Sequence, residues 1–154
     1  DDVFGIAGVS TWRDPEPGED HFSGMSVGAN AAGLLCADAN VQGATGLSSY
    51  DELVETALRA GGGVTAGIAA IEDAVAKRAY LWGNIVMIDG ERHAVVEVRG
   101  NTVDVAVGEY PVVRTNHHLR PSQPDDPAVS PTSEPRLAAA QRRLDAATDL
   151  ADIF

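Results

Sequence analysis

The stretch from Asn84 to Val107 reads NIVMIDGERHAVVEVRGNTVDVAV, and its pattern decides the fold class. Apolar residues come in three short runs, separated by the turn sequences Asp89-Gly90 and Gly100-Asn101. Runs rich in Val and Ile with a period near two, interrupted by such turns, are typical of β-strands joined in hairpins. We therefore predict three consecutive antiparallel strands, a β-meander.

Two helices are predicted before this meander. Ser49 and Glu52 have the spacing of a capping box, and the first helix should end at Gly61-Gly62-Gly63. Its apolar stripe is Leu53, Ala57 and Leu58. A second helix, capped by Thr65, should turn four apolar residues inward: Ile68, Ile71, Val75 and Ala79. The two helices should form an αα-hairpin lying on a sheet.

The remaining segments complete an α+β order. Three strands are predicted near the start of the chain, at Asp2–Trp12, Gly24–Gly28 and Gly33–Val41. After the meander we predict a short strand from Pro111 to Thr115, then an exposed loop rich in Pro, Ser and Asp. A last helix from Ser133 to Ile153 should have Leu137, Ala140, Leu144 and Ala147 on one face. We predict antiparallel sheets in a single α+β domain that spans residues 1–154.

Charge is the strongest compositional signal. The chain has 23 acidic and 11 basic residues, a net charge of −12, and a single lysine, Lys77. Such a surface repels phosphate backbones, so nucleic acid is not expected as a partner. Acid-rich, lysine-poor composition is typical of proteins from salt-adapted organisms, although a GC-rich genome would also give an acidic chain. Without a membrane-length apolar run, the protein is expected to be cytoplasmic, with a removed signal sequence left open.

Cysteine and histidine content argues against thiol and metal chemistry. Cys36 is the only cysteine, so an internal disulfide and a thiolate cluster are excluded. Its apolar strand neighbourhood should raise the thiol pKa, which disfavours a nucleophile. His117 and His118 are adjacent, and neighbouring residues of an extended chain point to opposite sides. We expect neither a metal site nor a cofactor.

Several ordered strings resemble one enzyme family. Residues 24–34 read GMSVGANAAGL and are followed six residues later by Asn40. The later strings are GNIVMID at 83–89, VVEV at 95–98 and VRTNH at 113–117. This ordered set resembles the choloylglycine hydrolase and penicillin acyltransferase-like families of N-terminal-nucleophile enzymes. Most of the chain takes part in the resemblance.

The resemblance implies a fold and a chemistry. Members have an αββα sandwich of two antiparallel sheets, and an N-terminal residue exposed by self-cleavage attacks an amide, with its own amino group as base. By analogy, Asn40 and Asn116 are the candidate catalytic residues, offering side-chain amides to the oxyanion or to the α-amino group. Asp38, which shares a strand face with Asn40, is a candidate substrate-binding residue. Thr115, His117 and Arg136 complete that set.

The chain also departs from the family. It begins with Asp1, and no counterpart of the nucleophile segment or of the closing strands is found, so we expect an incomplete member. The nucleophile would then lie outside these residues. A non-catalytic sandwich domain that binds a ligand or a partner is the alternative. The expected partner is a small-molecule amide or acyl substrate; a second chain or segment with the nucleophile, and a homo-oligomer, stay open.

Overall fold

The described chain forms one antiparallel sheet with three helices. A computed structural model describes residues 5–12, 22–43, 47–108, 112–120 and 128–149. In chain order the elements are β1 (Ile6–Trp12), β2 (Phe22–Asn30), β3 (Leu35–Asn40), α1 (Asp51–Arg59), α2 (Val64–Lys77), β4 (Tyr80–Ile88), β5 (His93–Gly100), β6 (Thr102–Gly108) and α3 (Ser133–Ala146). The predicted α+β class is therefore confirmed.

The six strands follow one another across the sheet in chain order. The order is β1-β2-β3-β4-β5-β6, and every neighbouring pair is antiparallel. The predicted meander is β4, β5 and β6, with Arg99 opposite Thr102 across the Gly100-Asn101 turn. Gly100 has φ +60, a value that a residue with a Cβ rarely adopts. The helical hairpin α1–α2 is inserted between β3 and β4.

The helices α1 and α2 cover one face of the sheet, and the hydrophobic core lies between this face and the two helices. Side chains that alternate along the strands point to this face, among them Cys36, Ile85, Met87 and Val96. The helices bury six large apolar residues against them: Leu53, Val54, Leu58, Val64, Ile71 and Val75. The predicted stripe of α1 is thus confirmed, whereas Ile68 and Ala79 are only half-buried.

The predicted N-terminal caps of both helices are wrong, whereas the predicted glycine stop is confirmed, since α1 ends at Arg59 and Gly61 has φ +70. α1 begins at Asp51, and Ser49 accepts the Asp51 N–H at 3.3 Å while donating to the Asp51 carboxylate at 2.7 Å. Glu52 pairs with Arg78 instead of closing a capping box. α2 begins at Val64, whose N–H donates to the Asp89 carboxylate at 2.8 Å. Because Asp89 lies in the β4–β5 turn, the turn and the helix fix each other.

Four further predictions differ in part from the structure or lie partly outside the described residues. Residues 112–115 have no strand pairing, so the described part of the predicted Pro111–Thr115 strand is wrong. α3 ends at Ala146, so the predicted helix is wrong for residues 147–149, and its last predicted residues, 150–153, lie outside the described residues. Residues 2–4 of the first predicted strand and 121–127 of the predicted loop also lie outside them. The predicted α3 face is half-buried, at Leu137, Ala140, Leu144 and Ala147.

Candidate functional site

Residues 112–120, which we call the strap, lie on the sheet face opposite α1 and α2. Two buried polar side chains of this face bond the strap, those of Asn84 and Glu97. They are register partners and alternate with the core residues Ile85 and Val96, so they point away from the helices. The strap is therefore fixed by polar groups placed within an otherwise apolar pair of strands.

Asn84 holds the main chain on both sides of Asn116. Its side chain is 0% exposed, and its Nδ2 donates to the carbonyl oxygens of Thr115 and His117, each at 2.8 Å. A buried amide with both N–H groups bonded resists displacement, because breaking either bond leaves polar atoms without water. The position of Asn116 is thus set from beneath by the sheet.

Glu97 fixes the end of the strap. Its carboxylate accepts the main-chain N–H groups of Leu119 at 2.8 Å and of Arg120 at 3.1 Å. The Arg114 Nε lies 3.8 Å from the same carboxylate. A buried carboxylate is tolerated when donors and a cation surround it, and both are present here.

Aromatic stacking attaches the strap to the sheet at a third point. The rings of Trp82 and His118 stack with centroids 5.9 Å apart, and the Arg99 guanidinium lies 4.6 Å from the centre of the Trp82 ring. The His118 Nε2 lies 3.3 Å from the Gly83 carbonyl oxygen. His118 therefore faces the sheet.

The structure brings three predicted site residues together. The Asn116 Nδ2 donates to the main-chain carbonyl of Asn40 at 2.7 Å, across 76 positions of sequence. The Arg136 Nη2 donates to the Asn116 Oδ1 at 2.9 Å. Asn40 is the last residue of β3 and is exposed. One N–H of the Asn116 amide remains without a hydrogen-bond partner among the described residues, because Nδ2 has two.

Thr115 and His117 hold the start of α3. The His117 Nδ1 lies 2.8 Å from the Ser133 Oγ and 3.2 Å from the Thr115 Oγ1. Thr115 also donates to the Ser133 carbonyl oxygen at 3.1 Å. Ser133 is 0% exposed at the first position of α3, so this group is an anchor and Ser133 is not placed as a nucleophile. A substrate role for Thr115 and His117 stays a prediction.

Asp38 lies on the other face of the sheet from the strap. It hydrogen-bonds Asp51 at the start of α1; burial, followed by this bond and the Asp51 charge, raises the pKa of Asp38 to about 8. Its Oδ2 is buried and has no hydrogen-bond partner. Burial and the nearby Asp38 raise the pKa of the Cys36 thiol to about 12. The sheet therefore separates Asp38 and Cys36 from the strap residues, including Asn116.

A small cleft opens beside Asn116. Its volume is about 70 Å³, and the side chains around it include Val41, Trp82, Asn116, His118, Arg120 and Val129. It combines an indole face, aliphatic groups, an amide and a guanidinium. Such a mixed wall suits a small group that is partly apolar.

Comparison with known proteins adds no family assignment: no family model matches the chain, and a search of curated proteins gives no match. Within the described ranges, no helix has the length and apolarity needed to cross a membrane. Nor do the described His, Cys, Asp and Glu residues form a group of three suited to a metal ion. The chemistry of this site must therefore be inferred from its own residues.

Sequence reasoning assigned no role to four residues that build the site: Trp82, Asn84, Glu97 and Ser133. A signal was present for two of them. Asn84 and Glu97 interrupt apolar strand runs, and a polar residue at such a position must find a buried partner. Nothing in the local sequence indicated Ser133, whose partners lie 16 and 18 positions away.

Proposed function

We propose that this chain is the central portion of an amide-bond hydrolase or acyltransferase that works through an acyl-enzyme. The nucleophile in this proposal is an N-terminal residue outside these 154 residues. Asn116 would donate to the oxyanion of the tetrahedral intermediate. Asn40, whose main-chain carbonyl accepts from the Asn116 amide, would orient that donor. The observation that carries the proposal is the fixed Asn116 amide beside the cleft.

Three features make Asn116 a suitable donor. Asn84 fixes the main chain on both sides of it, which gives the preorganisation that oxyanion stabilisation requires. One Nδ2 N–H is used by Asn40, which orients the other. Arg136 donates to the Oδ1, and this charge-assisted bond polarises the amide and strengthens its N–H groups as donors.

A nucleophile outside the described residues agrees with the state of the only thiol. Cys36 is buried on the helix-covered face, and its pKa is raised to about 12. A thiol of that kind has little thiolate at neutral pH and no access to the cleft. Nucleophilic attack in the proposed reaction must therefore come from another residue.

An αββα sandwich, incomplete at both ends, forms part of the proposal. The sheet face opposite α1 and α2 exposes four large apolar residues: Val9, Val27, Leu35 and Ile88. Register pairing aligns Val9, Val27, Ala37 and Val86 in one row across four strands. A second sheet packed on this row would bury it, as facing sheets do in sandwiches.

The second candidate is a non-catalytic domain that binds a ligand or a partner at the same cleft. One observation favours it: Asn40 and Arg136 occupy both polar atoms of the Asn116 side chain, as in a purely structural amide. This candidate requires no turnover of any amide substrate. Processing and turnover measurements separate the two candidates.

The decisive experiment uses the full gene product. Mass spectrometry should find a self-cleaved chain with Cys, Ser or Thr at its new N-terminus. Turnover of a panel of acyl amides should then fall about 10²- to 10³-fold in Asn116→Ala, the usual effect of removing one oxyanion donor. Asn101→Ala, in the exposed β5–β6 turn, is the matched control and should keep full turnover.

An unprocessed chain without such a terminus removes the enzymatic proposal. Equal turnover in Asn116→Ala and Asn101→Ala would remove Asn116 from the mechanism. Processed protein that turns over no amide in the panel would favour the binding domain.

A further inference from the structure

The contacts at the start of α3 determine which ring nitrogen of His117 has the proton. The Thr115 Oγ1 lies 3.1 Å from the Ser133 carbonyl oxygen, which can only accept, so the hydroxyl proton of Thr115 is used there. The Ser133 Oγ lies 3.1 Å from the Thr115 Oγ1 and must donate its own proton in that bond. Neither hydroxyl then has a proton for the contact of 2.8 Å between the Ser133 Oγ and the His117 Nδ1.

The proton of this last contact must therefore come from the imidazole ring. A ring protonated at Nδ1 donates to the Ser133 Oγ and also reaches the Thr115 Oγ1 at 3.2 Å, so each contact has a donor. With the ring proton on Nε2 instead, the two hydroxyl protons would have to serve three contacts, and one of these would join two lone pairs. A neutral imidazole has one N–H, so the Nε2 of His117 keeps a free lone pair.

This lone pair is open to the cleft beside Asn116. His117 lines that cleft and is 7% exposed. Its Nε2 has no hydrogen-bond partner among the described residues, yet it is not one of their fully buried atoms that lack a partner. Solvent therefore reaches the Nε2, while the Nδ1 edge of the ring faces α3.

The surroundings of the lone pair favour a neutral group as its partner. The Arg120 guanidinium lines the cleft, and the Arg136 guanidinium bonds Asn116 at 2.9 Å. None of the described residues that line the cleft is acidic. An ammonium ion would be repelled by these two cations, whereas a hydroxyl or a neutral amine would not. Val41 and Val129 offer an apolar surface to carbon atoms beside that group.

We propose that the His117 Nε2 accepts a hydrogen bond, and then a proton, from a neutral hydroxyl or amine bound in the cleft beside Asn116. The bonds to Ser133 and Thr115 orient the ring and fix its tautomer, as a third group does for the base in other acyl-transfer sites. His117 thus has two roles at opposite edges of one ring: Nδ1 anchors α3, and Nε2 serves the cleft.

The bound group is the acyl acceptor, an inference that rests on the proposed function. Its oxygen or nitrogen attacks the carbonyl carbon of the acyl-enzyme and forms the new bond, while its proton moves to Nε2. When the tetrahedral intermediate collapses, the bond between the acyl carbon and the enzyme nucleophile breaks, and the proton passes from Nε2 to that nucleophile. Water as the acceptor gives hydrolysis, and an alcohol or a neutral amine gives acyl transfer.

NMR tests the acceptor atom without any turnover assay. In isotope-labelled protein at mildly alkaline pH, where imidazole is neutral, spectra of the ring nitrogens should show the His117 proton on Nδ1 and none on Nε2. Ethanol should shift the Nε2 signal saturably, whereas ethylammonium, a cation of similar size, should not. Ser133→Ala removes the acceptor of the Nδ1 proton and should lower the fraction of this tautomer. Thr132→Ala, at the exposed neighbouring residue, should leave it unchanged.

A further variant removes the acceptor and keeps the anchor. His117→Asn retains an amide N–H that can donate to Ser133 but has no atom at the position of Nε2. Ethanol binding, followed at the indole N–H of Trp82 in the cleft wall, should weaken about three- to tenfold through loss of one hydrogen bond. His93→Asn, in β5 and outside the cleft, is the matched control and should bind as wild type does.

Three results would each overturn the proposal: the opposite tautomer in wild type, an equal response to ethanol and ethylammonium, or equal ethanol affinity in His117→Asn and wild type. The first two need no variant, so misfolding of a variant does not affect them.

Proton transfer is tested separately, in the processed full-length protein. In His117→Asn the burst that reports acyl-enzyme formation should keep its size, while the later turnover should fall about 10²-fold or more, the usual contribution of a general base. Unchanged turnover after the burst would overturn the role as base. A protein without processing or amide turnover would remove the proposed function, whereas the NMR result for Nε2 would stand by itself.

Discussion

The two faces of the sheet are stabilised in different ways. The face beneath α1 and α2 is apolar and closely packed, with residues such as Ile85 and Val96 fully buried. The face beneath the strap instead contains the buried polar residues Asn84 and Glu97, whose bonds go to main-chain atoms of the strap. Apolar burial is nondirectional, whereas hydrogen bonds fix positions. The first face therefore supplies stability and the second supplies geometry for a site.

The largest expected difference between the two faces is in the stability lost when an isoleucine of β4 is replaced by alanine. Ile85 is 0% exposed on the helix-covered face, whereas Ile88 is 47% exposed on the other. Ile85→Ala should lower the free energy of unfolding by about 2–5 kcal/mol, through lost transfer energy and the cavity that remains. Ile88→Ala is the matched control and should cost under about 1 kcal/mol. Urea denaturation of both variants measures the difference.

An unexpected result at Ile88 would be informative. If Ile88→Ala costs as much as Ile85→Ala, the second face is covered in the purified protein, as the proposed sandwich requires. If neither substitution matters, the helix-covered face is not the core described here.

Two buried asparagines, one on each face, should give a difference in stability of intermediate size. The Asn30 amide donates to the carbonyls of Leu58 and Gly62, and its oxygen accepts two main-chain N–H groups. The Asn84 amide also donates to two carbonyls, but its buried oxygen has no hydrogen-bond partner. Asn30→Ala should therefore cost about 1–3 kcal/mol of global stability. Asn84→Ala should lower global stability by less, because the substitution also removes a buried oxygen that has no hydrogen-bond partner and is therefore unfavourable.

The location of the effect should differ as well. In Asn84→Ala, hydrogen exchange of the strap amides at Leu119 and Arg120 should become faster while exchange in α1 is unchanged. In Asn30→Ala, exchange should rise around α1 and the α1–α2 connection. Equal global losses and uniform exchange in both variants would show that the two faces are not distinct.

The order and type of the elements could be predicted from sequence because their signals are local. Val-rich runs and Gly-containing turns indicate the meander, and the helical stripe places Leu53 and Leu58 inward. The start of α2 could not be predicted, since the Val64 N–H donates to Asp89, 25 positions away. The predicted strand after the meander failed for a related reason: Asn84 and Glu97 hold these residues as a strap, with partners 22 to 33 positions apart.

The candidate site was predictable only in part. The resemblance indicated Asn40 and Asn116, and the position of Arg136 near the start of the last helix made it a substrate-binding candidate; the structure brings the Asn40 main chain and the side chains of Asn116 and Arg136 together. Asp38 was grouped with them because alternation puts Asp38 and Asn40 on one strand face. Asn116, however, bonds the main-chain carbonyl of Asn40, and Asp38 points toward Asp51 on the helix-covered face. Alternation gives the face of a side chain, and it does not give the atom to which a distant residue bonds.

The smallest expected effect comes from Asp38, a titratable residue on the helix-covered face. Burial, with the Asp51 bond and charge, raises its pKa from 3.8 to about 8, so the folded protein keeps a proton that the unfolded chain loses above about pH 4. The contribution of Asp38 to stability is therefore fully present below pH 3.8 and is lost as the pH rises through about 8. Asp38→Asn removes this dependence, because the amide is neutral throughout.

We expect Asp38→Asn to match wild type near pH 4 and to exceed its free energy of unfolding by about 1 kcal/mol near pH 9, a value reduced for the partial exposure of the carboxyl. Urea denaturation across this pH range measures the difference. Asp73→Asn, at an exposed residue of α2, is the control and should show no such rise. A difference that falls with pH would mean that Asp38 is better stabilised as an anion. The helix-covered face would then contain a polar site of its own, and the contrast between the two faces would not hold.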